Sequence, residues 1–289
     1  MMDRLQRVAD WRARTDAVRA SGRTVGLVPT MGALHAGHES LIRRAAMSGD
    51  VVVTTVFVNP RQFNNAADLA AYPHTPDADA MRAQRAGTDV LVEPALAEMW
   101  PLGDATPTTV HVGPIGDVLE GADRPGHFDG VASVVAKLLI VTGPCRLYLG
   151  EKDYQQLVAM RQMVRDLAFD VEVVGCEIVR EASGLALSSR NVRLSDAGRV
   201  VALGLSRALA SAAEPASASE LRARMRAVMD EAGVDVAYAE VVDPLSLVPL
   251  DDAYAGVGRA LLAGRVDGVR LLDNGPVRVI RRSDRAASH

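Results

Sequence analysis

Short apolar runs bounded by turn residues alternate with segments of helical period through the first two thirds of the chain. The runs predict strands at Thr24–Pro29, Val51–Val58, Asp89–Glu93, Thr109–Val112, Arg146–Gly150 and Val171–Val179. Two of them, "DVVVTTVFVN" and "VEVVGCEIV", are apolar almost without a break, the pattern of strands covered on both faces of a parallel sheet. Helical periods fall between them, at Leu5–Ser21, His38–Ser48, Pro76–Ala86, Gly130–Val141 and Tyr154–Ala168. Thr75-Pro76-Asp77 reads as an N-cap, a proline at the first helical position and an acidic first turn. Strand and helix in alternation predict a Rossmann-like, doubly wound α/β domain over residues 1–184.

Beyond it the texture changes. The segment after Arg190 is Ala-rich and helical, with a break around Pro215. "VDVAYAEVVDP", "GRALLAGRV" and "VRLLDN" then read as short strands joined by Gly- and Asp-rich turns. A smaller C-terminal α+β domain, acting as lid or substrate domain, is expected over residues 185–289.

Composition narrows the function classes. The chain has 289 residues and is 48% hydrophobic, enough for a sizeable core. No apolar run approaches the roughly 20 residues of a membrane span, and the charged, helix-periodic N-terminus shows no secretory signal, so no membrane and a cytoplasmic location are expected. The net charge is −4, with no basic block, and nucleic acid is not an expected partner. Cys145 and Cys176 stand far apart in no C-x-x-C and read as reduced, buried thiols. Only Lys137 and Lys152 are lysine; every other basic residue is arginine. Lys152 stands where a compact ammonium could meet phosphate, and Lys137, mid-helix, reads as a snorkelling stem.

Five stretches carry candidate chemistry. In "VPTMGALHAGHESLIRRA", Val28 to Ala45, a strand passes through a Gly-rich turn into a helix, which is a ready anion site. His35 and His38 stand at that helix start and could donate to phosphate oxygens. A zinc site would need further ligands, and none follows at helical spacing; a structural pair is the other alternative. No G-x-G-x-x-G and no G-x-x-x-x-G-K-[ST] occurs, and H-x-G-H points to the nucleotidyltransferase superfamily. After the second long strand, Asn59, Gln62 and Asn64 offer amides able to read carboxylate and hydroxyl together. Asp77 and Asp79 could approach Mg²⁺ or simply serve the helix start. In "RPGHFDGV", Arg124 and His127 form a possible anion-clamping gate. "YLGEKDYQQL" holds Lys152 and, one turn on, Gln156. "GLALSSRNVRL" presents Ser188, Ser189 and Arg190 in a loop that resembles a diverged K-M-S-K-S.

In this order the stretches resemble the pantothenate synthetase (pantoate–β-alanine ligase) family, through "PTMGALHAGH", "VFVNPRQF", "YPHTPD", "RPGHFDGV", "GEKDYQQL", "LALSSRN" and "RLLDN". The resemblance implies that ATP and (R)-pantoate form pantoyl adenylate with Mg²⁺. The amine of β-alanine then displaces AMP to give pantothenate. It implies a homodimer. It implies catalytic roles for His38, His35, Lys152 and Arg190. ATP binding would fall to Met31, Gly32, Ala33, Leu34, His35, Ala36, Gly37, His38, Gly150, Glu151, Lys152, Asp153, Val179, Leu187, Ser188, Ser189 and Arg190. Gln62 and Gln156 would hold pantoate, with Gln62 also near β-alanine; the resemblance assigns no metal ligands. Arg61, Ala78 and Cys145 depart from the family's usual pattern.

Overall fold

The computed structural model describes residues 2–103 and 108–282. In it the chain divides into two compact units. The first runs through Glu151 and resumes over Gln155–Glu177; the second takes Lys152–Tyr154 and the chain from Ile178 onward.

The first unit is built on six parallel strands: β1 (Asp3–Leu5), β2 (Val25–Thr30), β3 (Val51–Val56), β4 (Val90–Val92), β5 (Cys145–Gly150) and β6 (Val171–Cys176). Their order is β1-β4-β3-β2-β5-β6. Among the described residues, eight α-helices connect or follow these strands: α1 (Val8–Ala20), α2 (Ala36–Met47), α3 (Ala66–Ala70), α4 (Pro76–Ala86), α5 (Leu96–Met99), α6 (Glu120–Asp123), α7 (His127–Thr142) and α8 (Tyr154–Asp166). All residues of β3 but its last are buried, as its unbroken apolar run requires. The chain leaves β2 for β3 on one side and later places β5 on the other, in register Gly26 to Arg146 and Leu27 to Leu147. The order reverses at β2, and the carboxyl ends of strands flanking such a reversal are where open α/β sheets bind ligands.

The strand expected over Val171–Val179 ends at Cys176 and the helix expected from Gly130 begins at His127, and two further elements differ for reasons the hydrogen bonds show. Residues 109–112 form no strand, because side chains of α7 take their backbone donors: Val110 N–H donates to Ser133 Oγ (2.9 Å) and Val112 N–H to Asp129 Oδ1 (3.1 Å). The helix expected from Leu5 begins at Val8, because Asp3–Leu5 pairs with β4 as an edge strand. The helix Pro76–Ala86 stands as expected, although Thr75 turns its hydroxyl to Asp79 rather than capping a backbone N–H.

The second unit joins α9 (Asp196–Ser211) and α10 (Ala218–Glu231) to an antiparallel sheet of β7 (Asp235–Val242), β8 (Gly256–Val266) and β9 (Val269–Val279). Ser195 and Ser217 cap the two helices, the second in a full capping box with Glu220. Asp267 and Gly268 both have positive φ, 52° and 73°, and close a two-residue hairpin between β8 and β9. Leu205, Leu221, Met225, Met229, Val241 and Leu262 pack at its core.

Candidate active site

The loop after β2 is held by its own side chains. His35 is the N-cap of α2, and its Nδ1 accepts Gly37 N–H at 3.1 Å. His38, three residues on, returns the bond: its Nδ1 accepts His35 N–H at 3.3 Å. This is a capping box written with two imidazoles. A ring nitrogen that accepts carries no proton, so each neutral imidazole carries its proton on Nε2. The rings lie 4.1 Å apart at a helix N-terminus. A Cβ at Gly37 would stand 2.8 Å from His35 Cε1, so a side chain there would displace the His35 ring.

The turn before it hangs on a residue from α4. Asp79, 2% exposed, accepts Ala33 N–H (3.0 Å) and Leu34 N–H (2.7 Å), and Thr75 Oγ1 donates to it (3.1 Å). Ala33 has φ 50°, a strained value for a side-chain-bearing residue, and the carboxylate holds it there. Asp79 is thus spent on backbone. No group of three His, Cys, Asp or Glu among the described residues could hold a metal ion, so the zinc alternative for the histidines has no ligand set.

Beside this loop lies a polar cluster from β3's end and α7. Gln62 Nε2 donates to Met31 Sδ at 3.0 Å, a weak acceptor. The backbone carbonyl of Gln62 accepts from Arg124 (3.1 Å) and from His127 Nδ1 (2.8 Å). Since a carbonyl only accepts and a guanidinium only donates, His127 carries its proton on Nδ1 and receives Arg124 on Nε2 at 3.2 Å. The residues expected as a gate are docked on Gln62. α7 approaches this closely because residue 130 is glycine: a Cβ would stand 2.1 Å from the Arg61 carbonyl oxygen. Asn64 donates to the Pro125 carbonyl, and Arg61 reaches the Thr108 carbonyl (3.2 Å) and Thr109 Oγ1 (2.8 Å).

At the start of α8, neighbouring glutamines do different work. Gln155 is buried and ties down three backbone groups, at Ile115, Val118 and Glu120. Gln156 is half-buried, and no hydrogen bond to its amide is found among the described residues. Gly150 ends β5 and Glu151 follows it.

The second unit carries the remaining candidates. Lys152 and Asp153 lie side by side (3.3 Å), and the Lys152 carbonyl accepts from Asn274 Nδ2 at 2.9 Å. Leu187 N–H donates to the Val179 carbonyl (2.9 Å), and Ser188 caps the turn Ser189–Arg193 through Arg190 N–H. Arg180 grips buried Asp273 with two bonds of 2.7 and 2.8 Å, beside this loop. Lys152, Ser188, Asn191 and Asp273 line one recess, and the buried Asn191 Oδ1 in its wall has no hydrogen-bond partner among the described residues. Burial pushes the Cys145 thiol up to about 12 and the Cys176 thiol up to about 11, so both stay protonated and out of the chemistry. Lys137 is no snorkelling stem: its ammonium turns inward to the Met99 carbonyl and over the Trp100 ring, and burial lowers its pKa.

The model of the pantoate–β-alanine ligase family matches residues 3–276. The chain belongs to that family. A pantothenate synthetase of Cereibacter sphaeroides is 50% identical over 278 residues, covering 94% of this chain and 99% of its own. The crystal structure of a pantothenate synthetase from Thermus thermophilus superposes with a TM-score of 0.85 at 44% identity, over 95% of this chain and 99% of that one. A pantoate–β-alanine ligase of Francisella tularensis, crystallised with β-γ ATP and β-alanine, follows at a TM-score of 0.77 and 34% identity, over 95% and 97%. Sequence reasoning passed over Asp79 as a loop anchor, Trp100 and Asn274. Each acts on a segment distant along the chain, which no local pattern reports.

Proposed function

We propose that the chain joins (R)-pantoate to β-alanine at the expense of ATP. In the first step the pantoate carboxylate attacks the α-phosphorus of ATP, the bond to the β-phosphate oxygen breaks, and pyrophosphate leaves. In the second the amine of β-alanine attacks the activated acyl carbon, and AMP departs with the electron pair of the acyl–oxygen bond. The reaction asks the protein for positioning and charge rather than for a nucleophile. The observation that carries this reading is the histidine capping box, which takes up both Nδ1 atoms and leaves Nε2–H as the donor of each ring at a helix N-terminus. Fixed donors facing developing phosphate charge are worth on the order of 10²–10³ in rate.

By resemblance, Met31 to His38, Gly150 to Asp153, Val179 and Leu187 to Arg190 serve ATP. Lys152 and Arg190 supply its counter-charge. Gln62 and Gln156 serve pantoate, and Gln62 also β-alanine; each amide has a group left to give, to a better acceptor than sulfur in one case. Mg²⁺ enters as the partner of the ATP phosphates, its ordinary mode. No helix among the described residues is long and apolar enough to cross a membrane. A homodimer working in the cytoplasm is part of the same proposal.

Product analysis tests the reaction class. Pantothenate should form with AMP and pyrophosphate in equal amounts, only when all three substrates are present. ADP and phosphate in place of AMP would replace the acyl adenylate by an acyl phosphate.

A further inference from the structure

Behind Gln62 lies a row of buried groups whose hydrogen-bond directions are forced. The Trp100 indole N–H donates to Asn59 Oδ1 at 3.1 Å. An indole donates and never accepts, so the Asn59 oxygen must face Trp100. The Asn59 amino group then points the other way, to the Gly130 carbonyl (3.1 Å) and to Gln62 Oε1 (3.1 Å). The Gly130 carbonyl only accepts and demands the same orientation. Asn59 is 1% exposed, so water does not offer it an alternative. Gln62 Oε1 in turn must face Asn59, because a flipped amide would set two amino groups against each other. The Gln62 amino group is left facing Met31 of the loop after β2.

Trp100 is itself fixed. The Lys137 ammonium holds the carbonyl of Met99, the preceding residue, and lies 5.1 Å from the indole centroid. The Arg61 guanidinium lies 4.8 Å from the same ring. Cations over an indole face are attracted by its quadrupole.

We infer that Trp100 and Asn59 are positioning residues that lock Gln62 with its donor end toward the substrate, so that this subsite selects an oxygen acceptor, a carboxylate or hydroxyl oxygen of the acid. The inference rests on the reading of Gln62 as a pantoate contact. An unfixed glutamine offers either end of its amide; this one offers only N–H. The two lysines of the chain are thereby both explained, one as counter-charge and one as the support of this row.

Two variants and one background test it. Asn59→Asp keeps size and the acceptor for Trp100 but removes both donors, so Gln62 turns its amino group inward and shows its oxygen to the acid. The pantoate KM should rise about tenfold or more, while the ATP KM changes less than about twofold. Trp100→Phe keeps the ring and its cations but orphans Asn59 Oδ1, and should raise the pantoate KM by about threefold. In a Gln62→Ala background, neither substitution should raise the pantoate KM further, since there is no amide left to orient. A merely structural role would make the effects additive and would raise both KM values together; either result overturns the inference. So does an unchanged pantoate KM in Trp100→Phe, which keeps the test open should Asn59→Asp fail to fold. If Gln62→Ala alone leaves the pantoate KM unchanged, the substrate contact itself is wrong, and that outcome is distinguishable from a failed relay.

Discussion

The two histidines of H-x-G-H hold their own loop before they touch any ligand. Each Nδ1 is taken by a backbone N–H, which fixes the tautomer with the proton on Nε2. Rate and capping can be separated. Asparagine at position 38 is short but able to accept a backbone N–H, and it has no group where Nε2 stood. His38→Asn should therefore lower the adenylation rate about 10²-fold or more while shifting thermal unfolding by only a few degrees, read by rapid-quench kinetics beside calorimetry. A near-wild-type rate would reduce His38 to a cap. The spacing of this pair was legible in the sequence because both partners lie within three residues. Asp79 was only half legible: its place in the first turn of α4 was plain, but its work is done on Ala33 and Leu34, on another segment. Lys137 misled for the same reason, since the carbonyl it holds belongs to Met99, 38 positions away.

At the scale of elements, hydrophobic period located the sheet strands other than the short edge strand β1, and the longer helices, because burial on a sheet or on one helix face imposes that period. It failed at residues 109–112, where β-branched residues suggested a strand. That segment instead lies along α7, pinned by Ser133 and by Asp129, whose carboxylate takes Val112 N–H and the His111 ring (2.9 Å). Asp129 raises the pKa of His111 above its ordinary 6.5, first by that hydrogen bond and then by its charge. A raised folded pKa means that the protonated ring strengthens this attachment below the unfolded pKa, and that the contribution is lost as pH rises through the folded one. The His111 ring, followed by NMR, should titrate above 6.5, and Asp129→Asn should return it to about 6.5. A wild-type ring titrating at or below 6.5 would mean that the pair does not form in solution.

For the whole molecule, alternation of strand and helix followed by an Ala-rich helical stretch was enough to expect a doubly wound domain and a smaller α+β unit. What the sequence hid is a short excursion. Lys152–Tyr154 follows β5 after a single residue, Glu151, yet it belongs to the second unit. Asn274 of β9 holds the Lys152 carbonyl, Tyr154 donates to the Pro244 carbonyl at 3.2 Å, and the Arg259 guanidinium lies over the Tyr154 ring at 4.1 Å. The "LLDN" of β9 thus fixes the lysine segment through a bond spanning 122 positions, beyond any local motif. The proposal for the whole molecule is that it activates a carboxylic acid as its adenylate. Exchange of labelled pyrophosphate into ATP, with pantoate present and β-alanine absent, tests it most directly. Exchange should depend on pantoate and should fall far more in Lys152→Ala than in Lys137→Ala. Well-folded protein that shows no pantoate-dependent exchange would contradict it.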